Sequence, residues 1–341
     1  MDTHPRNKRS NMRDVAHRAG VSVATVSRVL SGTHKVAQTT RERVESAIEA
    51  LNFVPSPAAR AINSGRTHLI GALVPTLDHA IFSRFLYAIE LQLAKSGLSL
   101  LVATTDSSLE REAERAGDLL NLGVEGLIVS GITRSPDFSR LTARHEVPVV
   151  ATSYFAPHND LPTIGYDNEE VSQIALSHLL ELGHTEVAIL SGPPEDSDRT
   201  RARLDGLHAC DGCTLRVQHI ALDFAAAGDA TERCLDTYPG VTAILGLSDV
   251  LAQGALFRLQ NLGVPVPDAM SVMGMDDLPG SAYTWPALTS VQLPVDEMGR
   301  RAADALATWV EYGTRPEPRK LPSSVARRAS TSRPGPQRRK G

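Results

Sequence analysis

"RDVAHRAGVSVATVSRVLSG", at residues 13–32, decides how the N-terminal part of this chain folds. Asn11 stands three residues before Asp14, a pair that caps the start of a helix across roughly 12–19. Gly20 can adopt the left-handed conformation that stops this helix, and a second apolar pattern follows it. Two short helices around a glycine-containing turn predict a helix-turn-helix.

The next helices are marked by their own capping residues. Ser22 is a good N-cap for the second helix, and Thr39 with Glu42 gives the T-x-x-E pattern of a capping box for a third. The third helix then carries an apolar stripe at i, i+3, i+4 and i+7, made by Val44, Ala47, Ile48 and Leu51. This stripe is expected to close a three-helix core.

Charge is distributed unevenly along the 341 residues, although the net charge is only −4. Residues 1–66 carry eleven Lys and Arg against five Asp and Glu, and residues 314–341 carry nine against one. The middle of the chain holds 33 acids and 15 bases. A basic head on an acidic body is typical of a module that binds polyanions, attached to a soluble carrier.

The second helix of such a unit reads base edges in the major groove with its N-terminal residues. Val23 and Ala24 can contact a thymine methyl group, and Arg28 can bind guanine through two acceptors. The hydroxyl groups that can hold phosphates belong to Ser22, Thr25 and Ser27. Each residue alone is as easily explained as exposed helix surface, but the set at this spacing indicates DNA binding.

Residues 12–62, "MRDVAHRAGVSVATVSRVLSGTHKVAQTTRERVESAIEALNFVPSPAARAI", resemble the head of the lac repressor / galactose repressor (LacI/GalR) family of bacterial transcription factors. The motif A-G-V-S-x-x-T-V-S-R-V-L is far more specific than a generic helix-turn-helix. The resemblance implies a homodimer on a pseudo-palindromic double-stranded operator, with Lys35 among the DNA-binding residues. Paired helix-turn-helix units read such sites.

The linker after the third helix is interrupted by prolines, and "PAARAI" is too short to be a stable helix alone. By resemblance, residues 57–66 are a hinge helix in which Ala59 and Ile62 contact DNA. Ile62 replaces the leucine that the family inserts into the minor groove, and it could still wedge between base steps. A plain flexible linker fits the same residues equally well.

From Thr67 onward, continuous apolar runs such as "HLIGALVP" alternate with amphipathic helical segments. This alternation predicts an α/β body with parallel sheets, and its length favours two Rossmann-like lobes. The predicted domains are a helix-turn-helix at 1–56, a hinge at 57–66, a body at 67–331 and a basic disordered tail at 332–341. Within the body we expect a first lobe at about 67–163 and 293–322, and a second at about 164–290 and 323–331.

Segments of the body such as "LGVEGLIVSG", "LLELGHTEVAILSGP" and "SVMGMDDLPGSAYTWPALTSVQLP" are similar to successive blocks of the same family. The resemblance implies two lobes, like those of periplasmic sugar-binding proteins, that clamp a small effector. It places the effector-binding residues at His79, Phe82, Ser130, Tyr154, Asp167, Arg203, Asp249 and Asp276. Carboxylates and a guanidinium suit a polyhydroxylated ligand.

The chain departs from the family pattern at two places that would face this ligand. His79-Ala80-Ile81-Phe82 stands where the family has Asn-Pro-Phe, and Ser153-Tyr154 stands where it has Asp-Arg. Sugars, sugar acids and nucleoside derivatives therefore all remain open as effectors. A purine is disfavoured because aromatic residues make up only 4% of the chain.

Two other classes of protein fit this sequence less well than a regulator. An enzyme needs a nucleophile or a cofactor loop, and no G-x-G-x-x-G, P-loop, H-E-x-x-H or G-x-S-x-G motif is present, so we expect no catalysis and no cofactor. Cys210 and Cys213 have C-x-x-C spacing without a second pair, which argues against zinc. A transporter's solute-binding protein predicts a signal peptide, whereas "MDTHPRNKRSN" leads into no apolar segment, and a cytoplasmic, nucleoid-associated protein without membrane contact is expected.

Overall fold

The computed structural model describes residues 10–30, 36–53, 65–208 and 212–335. The chain divides into two compact units, Met1–His68 and Leu69–Gly341. Within the described ranges, no helix has the length and apolar character needed to cross a membrane.

The first unit contains the three predicted helices, α1 Met12–Ala19, α2 Val23–Leu30 and α3 Gln38–Ala50. The capping box of α1 is confirmed, because the Asn11 side chain accepts from the Asp14 amide while the Asp14 carboxylate accepts from the Asn11 amide at 2.9 Å. Gly20 ends α1 with a φ of 64°. The core of this unit consists of fully buried Val15, Val26 and Val44 with Ala16, Ala19, Val29, Ala47 and Phe53 around them.

The predicted capping box of α3 is wrong. The helix begins at Gln38, and Ala37 holds the N-cap position without a side-chain hydrogen bond. Thr39 is therefore already inside the helix, where its hydroxyl group is no cap. The Glu42 carboxylate instead accepts a hydrogen bond from the Gln38 side chain one turn earlier, at 3.1 Å.

The second unit contains two six-stranded sheets, as the strand-helix alternation predicted. The first sheet has the order β11-β5-β4-β3-β1-β2, with β1 Leu69–Val74, β2 Ser99–Thr104, β3 Gly126–Ser130, β4 Val149–Thr152, β5 Thr163–Gly165 and β11 Arg319–Lys320. The second has the order β12-β10-β9-β8-β6-β7, with β6 Glu186–Ser191, β7 Thr214–His219, β8 Ala243–Gly246, β9 Ser271–Asp276, β10 Thr289–Gln292 and β12 Ser324–Ala326. All pairings are parallel except that of β12 with β10.

Helices cover both faces of these sheets, which explains why strands such as β1 and β6 are buried almost throughout. The helices of the unit are α4 Ala80–Lys95, α5 Leu109–Asn121, α6 Pro136–Arg144, α7 Asn168–Glu181, α8 Asp198–His208, α9 Phe224–Thr237, α10 Asp249–Asn261 and α11 Val295–Tyr312. Short 3-10 turns lie at Pro194–Asp196 and Pro279–Tyr283.

The chain passes between the two lobes three times. It leaves the first sheet after β5 and enters the second lobe with α7, which packs on α8. It returns after β10 with α11, which packs on α4, and passes to the second sheet once more between β11 and β12. The strand order reverses between β3 and β1 in the first sheet and between β8 and β6 in the second. Ligands of such sheets bind at this reversal, at the carboxyl ends of the strands.

His184, which the sequence placed at a helix-to-strand turn, lies between α7 and β6 with its ring buried. Its Nδ1 lies 2.8 Å from the Thr242 hydroxyl, and its Nε2 lies 2.9 Å from the Ser332 carbonyl. The Ser332 amide also donates to the Ser271 hydroxyl at 3.0 Å. Residue 332, the first of the predicted tail, is therefore held on the second lobe, and residues 336–341 lie outside the described part.

Candidate functional site

The N-terminal half of α2 presents its small side chains to solvent. Ser22, Val23 and Ala24 are exposed, with Val23 41% accessible, while Val26 on the opposite side of the helix is completely buried. The first turn contains no acidic residue. A helix N-terminus attracts anions through its free amides, and no nearby carboxylate on this turn opposes that attraction.

Of the six other predicted DNA-binding residues, three belong to the described part of the chain and three do not. Arg28 is exposed on the last turn of α2, and Thr25 and Ser27 are half-buried. The Ser22 hydroxyl accepts from the Thr25 amide at 3.2 Å, which confirms Ser22 as the N-cap of α2. Lys35, Ala59 and Ile62 lie outside the described residues.

A cavity of about 370 Å³ lies between the two lobes of the second unit. We call it the cleft cavity. Its polar side chains are Thr76, His79, Ser107, Ser153, Tyr166, Asp196, Ser197, Arg199, Thr200, Arg203, Ser248 and Asp276. Its apolar wall includes Ile81, Phe82, Phe85, Leu222, Leu247, Val250, Leu278, Val295 and Met298. Four of the eight predicted effector-binding residues therefore meet here, from both lobes: His79, Phe82, Arg203 and Asp276.

Arg203, on α8, is oriented by two hydrogen bonds. Its Nε donates to the Asn168 side chain at 3.0 Å, and one terminal nitrogen donates to the Leu247 carbonyl at 2.7 Å. Asn168 is itself fixed, because its side-chain amide donates to the Ser153 carbonyl at 3.0 Å. The Arg203 guanidinium is therefore held by the Asn168 side chain and by the Leu247 carbonyl. Arg203 is thus a preorganised, partly buried donor on the wall of the cavity.

Asp276 ends β9, is 5% exposed and has an unusual φ of 124°. Burial, the largest influence, raises the pKa of Asp276 to about 8; the Arg203 charge opposes this shift and the Asp249 carboxylate adds to it. A substantial fraction of the carboxyl groups is therefore protonated near neutral pH. Asp276 can then both donate a hydrogen bond to a ligand hydroxyl and accept one from it.

Asp249 lies directly behind Asp276, off the wall of the cavity and completely buried. Its carboxylate accepts from the Leu278 amide at 2.8 Å and from the hydroxyls of Ser281 and Ser290. All of these partners belong to the second lobe, so Asp249 fixes the loop after β9 that carries the cavity wall. Burial raises the pKa of this carboxyl as well, against its hydrogen bonds.

The other three predicted residues also lie off the cleft cavity. Asp167 caps α7 by accepting from the Glu169 and Glu170 amides, at 3.1 and 3.2 Å. The Tyr154 main chain packs so closely on Gly165 that a Cβ there would lie 2.5 Å from its nitrogen. Ser130 lines a separate, smaller cavity.

The sequence reasoning missed the loop that follows β6. Asp196 and Ser197 in this loop, and Arg199 at the start of α8, line the cleft cavity. Ser107, in the turn after β2, lines it as well. The rule that ligands bind at carboxyl ends of strands applies to both segments and could have identified them, because "AILSGPPEDSDR" and "LLVATTDSS" each place polar residues directly after an apolar run.

Models of two families match this chain. Residues 11–56 match the helix-turn-helix model of the "Bacterial regulatory proteins, lacI family", and residues 67–329 match the "Periplasmic binding proteins and sugar binding domain of LacI family". The chain belongs to the LacI family of bacterial regulatory proteins. The predicted resemblance, the helix-turn-helix head and the two-lobed body are confirmed.

Individual relatives of this LacI-family chain cover most of its length. The transcriptional repressor CytR of Escherichia coli K12 is 32% identical over 299 residues, which are 86% of this chain and 87% of CytR. The lac repressor dimer bound to operator and the anti-inducer ONPF superposes with a TM-score of 0.84 at 28% identity, covering 95% of this chain and 100% of the repressor. The regulator CelR in complex with cellobiose superposes with a TM-score of 0.66 at 27% identity, covering 94% and 100%. The LacI-family chain is a DNA-binding transcriptional regulator rather than an enzyme.

Proposed function

We propose that this LacI-family chain is a repressor that binds a pseudo-palindromic operator as a homodimer and changes its operator affinity when a small effector occupies the cleft cavity. CytR is named a repressor, and the lac repressor neighbour was crystallised as a dimer on its operator. A regulator of this kind works in the cytoplasm, in association with the nucleoid. The observation that carries the proposal is the combination of a helix-turn-helix unit with a two-lobed body in the same chain. The cavity between the lobes is lined by hydrogen-bond donors and acceptors, among them Arg203 and Asp276.

The operator contacts are assigned to the exposed surface of α2. Val23, Ala24 and Arg28 read bases, and hydroxyl groups at the start of the helix hold phosphates. The exposure of these side chains, next to a turn without acids, supports the assignment. Lys35, Ala59 and Ile62 remain proposed contacts on the strength of the family resemblance.

The effector contacts are assigned to the residues that line the cleft cavity. Arg203 and Asp276 present a guanidinium donor and a carboxyl group, and His79 and Phe82 contribute from the first lobe. The mixture of apolar wall and few polar groups is typical of ligand sites. Asp249 supports the loop after β9 from behind the cavity. Asp167 and Tyr154 lie off the cavity wall, and Ser130 belongs to the neighbouring cavity.

The guanidinium, carboxyl and hydroxyl groups that line the cavity favour a sugar or a sugar derivative as the effector. The CelR–cellobiose complex supports this class. Since the cavity is lined by both lobes, a bound effector stabilises one arrangement of the lobes, and the operator affinity responds if the operator prefers a particular arrangement. Coupling of this kind is typically worth about 1–3 kcal/mol, or roughly 5- to 150-fold in affinity.

The test is fluorescence anisotropy of the full chain on a labelled fragment of its own promoter, titrated with sugars, sugar acids and nucleosides. We expect at least one neutral sugar to change the operator Kd by roughly five-fold or more. Asp276→Ala should bind the fragment with the wild-type Kd and lose this response. A Kd that no compound changes, or an Asp276→Ala chain that still responds, contradicts the proposal.

A further inference from the structure

Two consecutive residues at the end of β9 have left-handed backbone conformations. Asp276 has a φ of 124° and Asp277 has a φ of 52°. Few residues other than glycine adopt positive φ, because the Cβ atom then crowds the backbone. Such a conformation persists only where surrounding contacts hold it, and it often marks a functional position. The contacts that hold the Asp276–Asp277 turn therefore bear on the cleft cavity, since Asp276 lines its wall.

Asp277 lies off the wall of the cleft cavity, and its side chain is 9% exposed. One carboxylate oxygen accepts a hydrogen bond from the Arg328 guanidinium at 2.7 Å, and the other accepts from the Gln292 side chain at 3.0 Å. The backbone amide of Asp277 donates to the Ser290 hydroxyl at 3.1 Å. The side chain and the backbone amide of Asp277 are therefore both held.

Arg328 lies in the C-terminal segment, two residues after β12. The other terminal nitrogen of its guanidinium donates to the Leu288 carbonyl at 2.7 Å, and its backbone amide donates to the Thr289 hydroxyl at 3.0 Å. Arg328 therefore connects the start of β10 to the turn with both branches of its fork. A lysine keeps the charge but does not reproduce this fork, because its ammonium group is a single point charge.

Arg84 reaches the same turn from the first lobe. It lies on α4, and one terminal nitrogen of its guanidinium donates to the Asp277 carbonyl at 3.2 Å. The other donates to the Asp296 carboxylate, in the first turn of α11, at 2.8 Å. The Asp276–Asp277 turn is thus held between Arg84 of the first lobe and Arg328 of the C-terminal segment.

We propose that Arg84 and Arg328 are positioning residues of the effector site, which hold the Asp276–Asp277 turn so that the carboxyl group of Asp276 stays in the wall of the cleft cavity. Neither arginine lines the cavity itself, and both act through Asp277. This inference rests on the proposed function, because Asp276 contacts an effector only if the cleft cavity is the effector site. It adds the C-terminal segment to the parts of the chain on which effector binding depends.

Differential scanning calorimetry of the full chain between pH 6 and 9 tests the proposal without any effector. The carboxyl group of Asp276 reports its own position, because burial raises its pKa to about 8. The ionisable groups that face it are Arg203 on α8, Asp249 on α10, Arg84 on α4 and Tyr166 after β5. The decrease in Tm over this range should be larger for the wild type than for Asp276→Asn, by at least about 3 °C. We call this quantity the Asp276 difference.

Arg328→Lys keeps the positive charge and removes the fork. The turn should then be released, the carboxyl group of Asp276 should gain contact with water, and its pKa should fall towards the ordinary 3.8. We expect the Asp276 difference to shrink to less than about half of its wild-type value.

Arg84→Met removes the contact from the first lobe, should have the same effect, and keeps the test valid if Arg328→Lys folds poorly. The direction is diagnostic. Loss of a neighbouring cation with the turn in place would raise the pKa of Asp276 further and would enlarge the Asp276 difference.

Arg327→Met is the matched control, because Arg327 is next to Arg328 in the chain and its ion pair with Glu181 is exposed, at 70% and 68% of the two side chains. This variant should keep the wild-type Asp276 difference. A variant in which the difference stays above half of the wild-type value overturns the role of the arginine that it replaces. Absence of the difference in the wild-type background overturns the whole proposal, because Asp276 is then not held in a buried position.

Titration calorimetry with D-glucose, D-galactose and D-ribose connects the turn with effector binding. Each of these sugars that binds the wild type should bind Arg328→Lys roughly three- to ten-fold more weakly, because its contact with Asp276 is lost. The same sugar should bind Arg327→Met with the wild-type Kd. Equal Kd values for Arg328→Lys and the wild type overturn the proposal.

These outcomes are separate from failure of the proposed function. If no sugar binds but Arg328→Lys loses the Asp276 difference, the turn is held as proposed and only the assignment of the effector fails. If a sugar changes the operator Kd while Arg328→Lys keeps both the Asp276 difference and the sugar Kd, the proposed function stands and only the role of the arginines fails.

Discussion

The carboxylate of Asp198 accepts a hydrogen bond from the backbone amide of Ile132 at 2.6 Å, which ties the second lobe to the first. The same oxygen accepts from the Thr133 amide at 2.9 Å. Burial opposes ionisation of this group, but the Arg199 charge and the two amides outweigh burial and lower the pKa of Asp198 below its usual value. Gly131 allows this approach, because it has a φ of 78° and a Cβ there would lie 2.6 Å from the Asp198 carboxylate.

The Asp198→Asn variant should weaken effector binding. Hydrogen bonds to a charged group contribute about 1.5–3 kcal/mol, and an amide keeps only part of this, so we expect the effector Kd to rise roughly ten-fold. Titration calorimetry with the best ligand measures the change. Asp205→Asn, exposed on the same helix, should retain the wild-type Kd. Equal affinities of the Asp198→Asn and wild-type chains would show that the link between the lobes does not support the bound state.

Asp276 should make the stability of the chain depend on pH in the neutral range. Its pKa is raised from the ordinary 3.8 to about 8, chiefly by burial, so the folded chain retains a proton that the unfolded chain releases. The resulting stabilisation is complete below pH 3.8 and is lost as the pH rises through 8. Asp276→Asn stays uncharged at every pH. Between pH 6 and 9 the decrease in Tm should therefore be smaller for Asp276→Asn than for the wild type, by at least about 3 °C.

Differential scanning calorimetry across this pH range measures both proteins. Asp236→Asn, at an exposed position on α9, should follow the wild-type curve. If the wild-type and Asp276→Asn curves run parallel from pH 6 to 9, the carboxyl of Asp276 is not protonated in the folded state.

Removal of one member of the buried ion pair between Glu112 and Arg134 should destabilise the second unit strongly. Arg134→Met leaves the Glu112 carboxylate buried without its partner, and such a change costs about 3–5 kcal/mol. The double variant Glu112→Leu with Arg134→Met should recover most of this loss. Urea unfolding followed by circular dichroism gives the free energies.

Arg140→Met on α6 provides the comparison, because its ion pair with Asp137 is exposed, at 73% and 72% of the two side chains. Solvent screening limits exposed pairs to about 1 kcal/mol or less. A loss for Arg134→Met that is no larger than the loss for Arg140→Met would contradict the assigned burial of the Glu112–Arg134 pair.

Arg28→Ala should weaken binding to the specific operator by roughly 1–3 kcal/mol. It should also reduce the difference in affinity between the preferred base and the other bases at one base pair. Arg28 is exposed on the last turn of α2, and an arginine can bind guanine through two acceptors. Anisotropy titrations against a set of single-base operator variants measure both effects. Arg13→Ala, exposed on α1, is the control and should weaken all sequences equally if it weakens any. An unchanged base preference in Arg28→Ala would contradict the placement of the reading helix.

Features that depend on neighbours in the sequence were predictable. Asn11 and Asp14 cap α1 as expected, and Gly20 ends it, because both effects involve only one turn of backbone. The apolar runs form buried parallel strands, because their length and composition suit a sheet that is covered on both faces. The cap of α3 was mispredicted because the helix begins at Gln38, which leaves Ala37 at the N-cap and places Thr39 inside the first turn.

The sequence by itself determined the three-helix head, the two sheets of mostly parallel strands and the placing of Asp276 at the end of a strand. Only the tertiary structure decided that Arg203 and Asp276 meet His79 and Phe82 in one cavity while Asp249 turns away to bind Ser281 and Ser290. The physical reason is range: caps and periodicity act within a few residues, whereas a cavity between lobes depends on three chain crossings that bring together residues more than a hundred positions apart.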